Sequence, residues 1–221
     1  INMQTGEYEA TGIPAAILAH YLRESSVIPE KADLNSILFL LTPAETLAKF
    51  QHLVARIVRF ERHIRENSPV TEVLPTLAKA FAQYRKLSIN QLCQKMHDFY
   101  ATHQLNKLQK QMFERAHRPA VAMSAFDAHN AFIRNDVELV PLTDIKGRIA
   151  MEGALPYPPG VYCIVPGEVW DGAVLDYFLA LQEGVNSLPG FEPEVQGVYW
   201  DYDEQGKKVA YAYVLTSSPS N

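Results

Sequence analysis

Cysteine is almost missing from this 221-residue chain, which has Cys93 and Cys163. Two are too few for a disulfide framework or a cysteine-rich zinc site, and they suit a reducing, cytoplasmic setting. Long apolar runs are missing as well. The longest, from Ser36 to Leu41, falls far short of the ~20 residues that span a bilayer. No basic-then-apolar leader opens the chain, so neither membrane insertion nor secretion is expected. Positive charge is in deficit: 20 Lys plus Arg stand against 25 Asp plus Glu, a formal net charge of −5. Without a basic block, a nucleic-acid partner is not expected. Gly-x-Gly-x-x-Gly, a Walker loop and a Gly-x-Ser-x-Gly elbow are all absent. What is present is an ordinary globular composition, 48% hydrophobic and 20% charged, suited to one to one and a half domains. The chain opens on Ile1 rather than Met, which reads as a piece of a longer polypeptide.

Apolar spacing predicts a helix from Gly12 to Glu24, with Thr11 as its cap and Pro14 in the first turn, where a missing N–H costs nothing. Ser36 to Leu41 reads as a short strand buried on both faces. Thr42-Pro43-Ala44-Glu45 has the pattern of a helix start. The long helix it opens carries the rows Leu47, Phe50, Val54, Ile57 and Leu53, Ile57, Phe60, Ile64, and stops near Asn67-Ser68-Pro69. Helix, buried strand, helix is half of an α/β layer. A single strand makes no sheet, so its partners are expected upstream.

Beyond Pro69 the texture changes. Ser88-Ile89-Asn90-Gln91 is a capping box that leads into Ile89, Leu92, Cys93, Met96 and Tyr100 on one helical face. Short helices follow at Leu105 to Phe113 and Ser124 to Asn135, and strands at Val137 to Val140 and Tyr162 to Val165. Pro166-Gly167 is expected to turn the chain into a helix from about Val169 to Glu183, closed by Gly184. Gly197 to Tyr202 and Val209 to Leu215 read as a hairpin across Asp203-Glu204-Gln205-Gly206. Thr216 to Asn221 reads as a frayed polar tail.

Residue chemistry by itself marks little. None of the seven histidines forms a His-x-x-x-His pair or sits beside a cysteine at zinc spacing, so no metal is expected. Cys93 and Cys163 fall in apolar stripes, where buried inert thiols belong. Glu168 after Pro166-Gly167 reads as a carboxylate at a helix start. From periodicity alone, Glu30 and Lys31 read as a solvated surface couple.

Several stretches carry a family resemblance. Gly12-Ile13-Pro14-Ala15, Pro29-Glu30-Lys31, Asn35 to Leu41, Ala154-Leu155-Pro156-Tyr157-Pro158-Pro159-Gly160-Val161, Val165 to Trp170 and Leu188-Pro189-Gly190-Phe191 run in this order. In that they resemble the bacterial ornithine/lysine/arginine decarboxylases that use pyridoxal phosphate. The wording of Glu152-Gly153-Ala154-Leu155, Gly167-Glu168-Val169-Trp170 and Tyr177 to Leu181 is most similar to the ornithine decarboxylase branch.

The resemblance implies an α+β chain in two parts. Residues 1–68 would be the last part of an aminotransferase-type small α/β domain. Residues 69–221 would be a C-terminal domain of helices and a small, mainly antiparallel sheet. It implies pyridoxal 5'-phosphate as cofactor of the parent enzyme, a dibasic amino acid as substrate, an upstream cofactor domain of the same polypeptide as partner, and a homodimer or higher homo-oligomer. The family's cofactor lysine follows a Ser-x-His motif, which no lysine here does, so this chain alone is expected to hold neither the cofactor nor a catalytic residue. The resemblance assigns Glu30 to the distal ammonium of the substrate, reversing its surface reading. Some lysine-specific relatives bind a regulatory nucleotide just after the long helix; with Pro69 and Glu72 at that place, such regulation is not expected here. The other readings are a free-standing binding or assembly module of the same fold, and the same region of a lysine or arginine decarboxylase.

Overall fold

The structure is a computed structural model and describes residues 1–2, 4–157 and 160–216. It is α+β and forms two compact units, Ile1–Thr102 and His103–Asn221. Residues 69–102, which follow the change of texture at Pro69, fold within the first.

The first unit is helical apart from one small hairpin. Helix α1 spans Ala15–Glu24, later than its apolar spacing predicts, with Pro14 at the cap position and no side-chain cap. Tertiary contacts hold the segment ahead of it out of the helix. His97 Nε2 donates to Glu9 O at 2.7 Å, and Gln94 Nε2 donates to Ala10 O at 3.2 Å. A Cβ on Gly12 would lie 2.5 Å from His97 Nδ1. Strands β1 (Lys31–Ala32) and β2 (Ile37–Leu38) pair antiparallel. The expected strand buried on both faces is therefore wrong: it is a two-residue ladder, with Leu38, Leu40 and Leu41 exposed.

Helix α2 (Leu47–Glu66) starts after Thr46 at its cap position, because Thr42 to Glu45 close a turn of their own, with Glu45 N donating to Thr42 O. It ends as its sequence predicts, on Asn67 in the left-handed region at φ 53°. Of its apolar rows only Phe60 is buried, 5.1 Å from the Tyr21 ring, while Leu47, Val54 and Val58 face outward. Short α3 (Val70–Val73) and α4 (Pro75–Ala80) lead to α5 (Ile89–Thr102). The capping box forms as expected: Gln91 N donates to Ser88 Oγ at 3.3 Å, and Ser88 N donates to Gln91 Oε1 at 2.9 Å. Ile89, Leu92, Met96 and Tyr100 bury that helix's apolar face.

The second unit layers helices on both faces of a sheet. It comprises α6 (Leu105–Gln111), α7 (Ala125–Ile133), β3 (Val137–Pro141), β4 (Leu155–Tyr157), α8 (Gly172–Ser187), β5 (Glu194–Gln196), β6 (Tyr199–Tyr202) and β7 (Lys208–Leu215). The strand order β3-β7-β6 is antiparallel throughout, and β4 pairs antiparallel with β5. Along β7, Ala210, Ala212 and Val214 are buried on one face, the small residues admitting α8. Tyr213 and Leu215 on the other face join α7 residues Ala128 and Ala131 and Met151 in a second cluster.

Three expectations fail in this unit. Tyr162 to Val165 form no strand and make only an isolated bridge, Ala154 to Ile164. Helix α8 starts later than Val169, since bridges from Val121 to Glu168 and from Ile149 to Val169 keep that stretch extended. Asp171 caps it instead, accepting from Gly172 N at 2.8 Å. Gly184 lies inside the helix, because buried Val185 and Leu188 carry the apolar face beyond it.

Candidate functional site

The segment around Glu30 is built almost wholly by the backbone. Ser26 adopts φ 61° after α1, Val27 N donates to Leu22 O at 2.8 Å, and Pro29 is buried. Glu30 N then donates to Leu38 O at 3.0 Å, which fixes where Glu30 enters the hairpin. Asp33 closes the far end: its Oδ1 accepts from Asn35 N and Ser36 N at 2.8 and 2.7 Å, and its Oδ2 accepts from Ser36 Oγ at 2.8 Å. This is an Asx turn, whose side chain mimics a backbone turn. Ala15 N donates to Leu34 O at 3.2 Å and ties the hairpin to α1. Glu30 is exposed and makes no ion pair or side-chain hydrogen bond among the described residues, so it is not coupled to Lys31. The result is an available carboxylate on a pinned hairpin.

Glu168 is not at a helix start. Its Oε2 accepts from Val165 N at 2.8 Å across the Pro166-Gly167 turn, and so braces a turn between isolated bridges. Glu152, just ahead of the proline loop, accepts from Tyr199 Oη at 2.7 Å. That hydrogen bond, with burial behind it, pushes the Tyr199 phenol up to about 12. Pro158 and Pro159 of the proline loop lie outside the described residues. Cys93 and Cys163 are buried, and desolvation pushes both thiols up to about 12, too high for a nucleophile at neutral pH.

One cluster escaped the sequence reading. Buried His63 lies with Nδ1 3.0 Å from Ser68 Oγ and 3.8 Å from Glu72 Oε1, a serine, a histidine and an acid together. A nucleophile relay needs the serine on one ring nitrogen and the acid on the other. Here both converge on Nδ1, so buried His63 and Ser68 brace the turn after α2, with exposed Glu72 beside them. Its signal was a His and a Ser five residues apart around Asn67. Among the described residues no group of three or more His, Cys, Asp or Glu could hold a metal ion.

A shallow concavity of about 310 Å³ lies in the second unit, lined by His103, Leu108, Asp176, Leu179, Ala180 and Glu183. His103 Nε2 is 3.4 Å from Glu183 Oε1. Two carboxylates repel a phosphate, and no lysine lines the concavity to receive an aldehyde. Every described lysine, moreover, is exposed or half-exposed. The residues present therefore do not fit the pyridoxal phosphate that the resemblance implies. No helix among the described residues is long and apolar enough to cross a membrane.

Comparison with known proteins bears on the same regions. The family model described as Orn/Lys/Arg decarboxylase, C-terminal domain, matches residues 106–216, and that described as Orn/Lys/Arg decarboxylase, major domain, matches residues 1–49. The chain is similar to the constitutive ornithine decarboxylase of Escherichia coli, at 58% identity over 97% of this chain and 30% of that protein. It is equally similar to the ornithine decarboxylase of Haemophilus influenzae, at 58% identity over 98% of this chain and 30% of that one. Among solved structures, lysine decarboxylase A from Pseudomonas aeruginosa superposes with a TM-score of 0.85 at 32% identity, over 94% of this chain and 28% of that one. The chain thus spans less than a third of the length of these relatives.

Proposed function

This chain belongs to the Orn/Lys/Arg decarboxylase family, and on that premise we propose that it is the C-terminal part of an ornithine decarboxylase, which converts ornithine to putrescine and carbon dioxide. The observation that carries the reading is identity: over nearly its full length the chain is far closer to ornithine decarboxylases than to the lysine decarboxylase whose fold it shares.

Within the parent enzyme this chain binds and positions, while the chemistry is done elsewhere. Residues of the parent outside this chain would hold pyridoxal phosphate, which when bound would supply an electron sink for decarboxylation. A dibasic substrate must also bury a second positive charge, which is costly without a paired acid. Glu30 supplies that acid. Its support is its setting: a carboxylate with no partner of its own, on a hairpin held by backbone bonds and the Asp33 turn. The remaining partners are the cofactor domain of the same polypeptide and further copies of it.

The test is a full-length polypeptide carrying this region, assayed on ornithine, lysine and arginine with pyridoxal phosphate. The expected outcome is kcat/KM for ornithine at least ~10-fold above the other two, a difference of about 1.4 kcal/mol. The 221 residues alone should release no carbon dioxide. Preference for lysine or arginine would overturn the ornithine assignment, and turnover by the short chain would overturn the division of labour.

A further inference from the structure

The hairpin carries two carboxylates with opposite fates. Glu30 is exposed and spends neither oxygen on a partner among the described residues, whereas both oxygens of Asp33 are taken. Oδ1 accepts from Asn35 N and Ser36 N, and Oδ2 from Ser36 Oγ. In an ordinary β-turn the fourth residue's N–H bonds the first residue's carbonyl. Here Ser36 N gives its hydrogen to the Asp33 carboxylate at 2.7 Å, while Asp33 N donates to Ser36 O at 3.0 Å.

The backbone by itself holds this turn poorly. Two-residue hairpin loops favour turns with φ above zero, whose twist matches that of the strands, and neither Leu34 nor Asn35 lies in the left-handed region. The ladder behind the turn is the pairs Lys31 with Leu38 and Ala32 with Ile37. So short a ladder is marginal in water without further support. Successive side chains of a strand point to opposite faces, so a one-residue slip of this pairing would carry Glu30 to the other face. The bond from Glu30 N to Leu38 O belongs to that register and is lost with it.

Resting on the reading of Glu30 as the acid for the substrate's distal ammonium, we propose that Asp33 is the positioning residue of that acid. Its carboxylate closes the turn, the turn sets the pairing, and the pairing aims Glu30. Asp33 thereby governs how strongly the enzyme prefers a substrate with a distal ammonium over one without. What the turn needs is an acceptor at Oδ1 rather than a charge. Asparagine keeps that oxygen for both N–H groups and forms the same turn, with an amide N–H left for the Ser36 hydroxyl. Alanine offers neither.

The test uses the full-length polypeptide and four variants: Glu30→Gln, Asp33→Ala, Asp33→Asn, and Glu30→Gln with Asp33→Ala. Each is assayed for kcat/KM on ornithine and on norvaline, the same carbon chain without the distal amine. Asp33→Ala should lower the ornithine-to-norvaline ratio at least ~10-fold, since a misplacement of about 1 Å can cost on the order of 100-fold. Asp33→Asn should keep the ratio within ~3-fold. In the Glu30→Gln background, Asp33→Ala should lower it less than ~2-fold further, because a residue acting through another adds nothing once that other is gone. Hydrogen exchange reads the hairpin without turnover: the amides of Glu30, Asn35 and Ser36 should exchange at least ~10-fold faster in Asp33→Ala. Unchanged amides in α5 and β7 show that this variant is folded. A ratio that holds in Asp33→Ala while Glu30→Gln lowers it would overturn the proposal. So would additive losses in the double variant, or a fall in Asp33→Asn as deep as in Asp33→Ala, which would make the charge itself what counts. An unchanged ratio in Glu30→Gln with faster exchange in Asp33→Ala would sink the Glu30 reading instead, and leave Asp33 as the residue that sets the hairpin.

Discussion

Replacing Glu30 by Gln separates a substrate contact from a surface charge, because the two roles act on different measurements. The hairpin does not depend on the carboxylate. Glu30 is held by its own N–H on Leu38 O, the turn is closed by Asp33, and the Glu30 side chain has no partner to lose. An exposed change of this kind stays within about 0.5 kcal/mol of the parent stability. If the carboxylate meets the distal ammonium of ornithine in the full-length enzyme, removing it leaves that ammonium buried without its counter-ion. The cost is then roughly 2–5 kcal/mol, or about 30-fold to a few thousand-fold in kcat/KM at ~1.4 kcal/mol per factor of ten. Norvaline, which has the same carbon chain and no distal amine, is the control substrate. Only ornithine loses a partner, so the ratio of kcat/KM for ornithine over norvaline should fall at least ~30-fold while the thermal midpoint holds. A surface role would cost less than ~1 kcal/mol and move both substrates alike; an unchanged ratio would remove Glu30 from the site and leave family membership untouched.

Gly197 and Gly206 share φ +75°, but a Cβ at Gly197 would lie 2.1 Å from Gly153 O, while one at Gly206 would meet nothing within 4 Å. Alanine at Gly206 should cost about 1–2 kcal/mol for its left-handed backbone, and alanine at Gly197 about 1–3 kcal/mol more for the overpacking; equal urea midpoints would refute the close approach. Burial holds the Cys93 and Cys163 thiols near 12, so a disulfide reagent at pH 8 should label the folded chain at least ~100-fold more slowly than the urea-unfolded chain. Because those folded pKa values lie above the unfolded ones, the stability the neutral thiols contribute is complete below about pH 8.5 and drains away as pH rises through about 12. Rapid labelling of the folded chain would contradict both statements.

What the sequence made legible, and what it hid, divides by how local the cause is. The Ser88 capping box, the Asn67 stop and the turn at Asp203 to Gly206 are decided by residues a few positions apart, and each formed where its chemistry predicts. The starts of α1 and α8 lie later than spacing predicts because distant partners intervene: His97 and Gln94 hydrogen-bond the carbonyls of Glu9 and Ala10 ahead of α1, and bridges to Val121 and Ile149 hold Glu168 and Val169 ahead of α8. Neither contact can be read from spacing. The run from Ser36 to Leu41 is a third case. Its apolar composition asks for burial on both faces, yet in this chain Leu38, Leu40 and Leu41 are exposed. Composition records the environment in which a segment was selected, and the fold of a fragment records only the neighbours it has. Glu30 is a parallel case under the proposed reading: a carboxylate whose counter-charge would arrive with the substrate looks, in its own chain, like any other exposed acid.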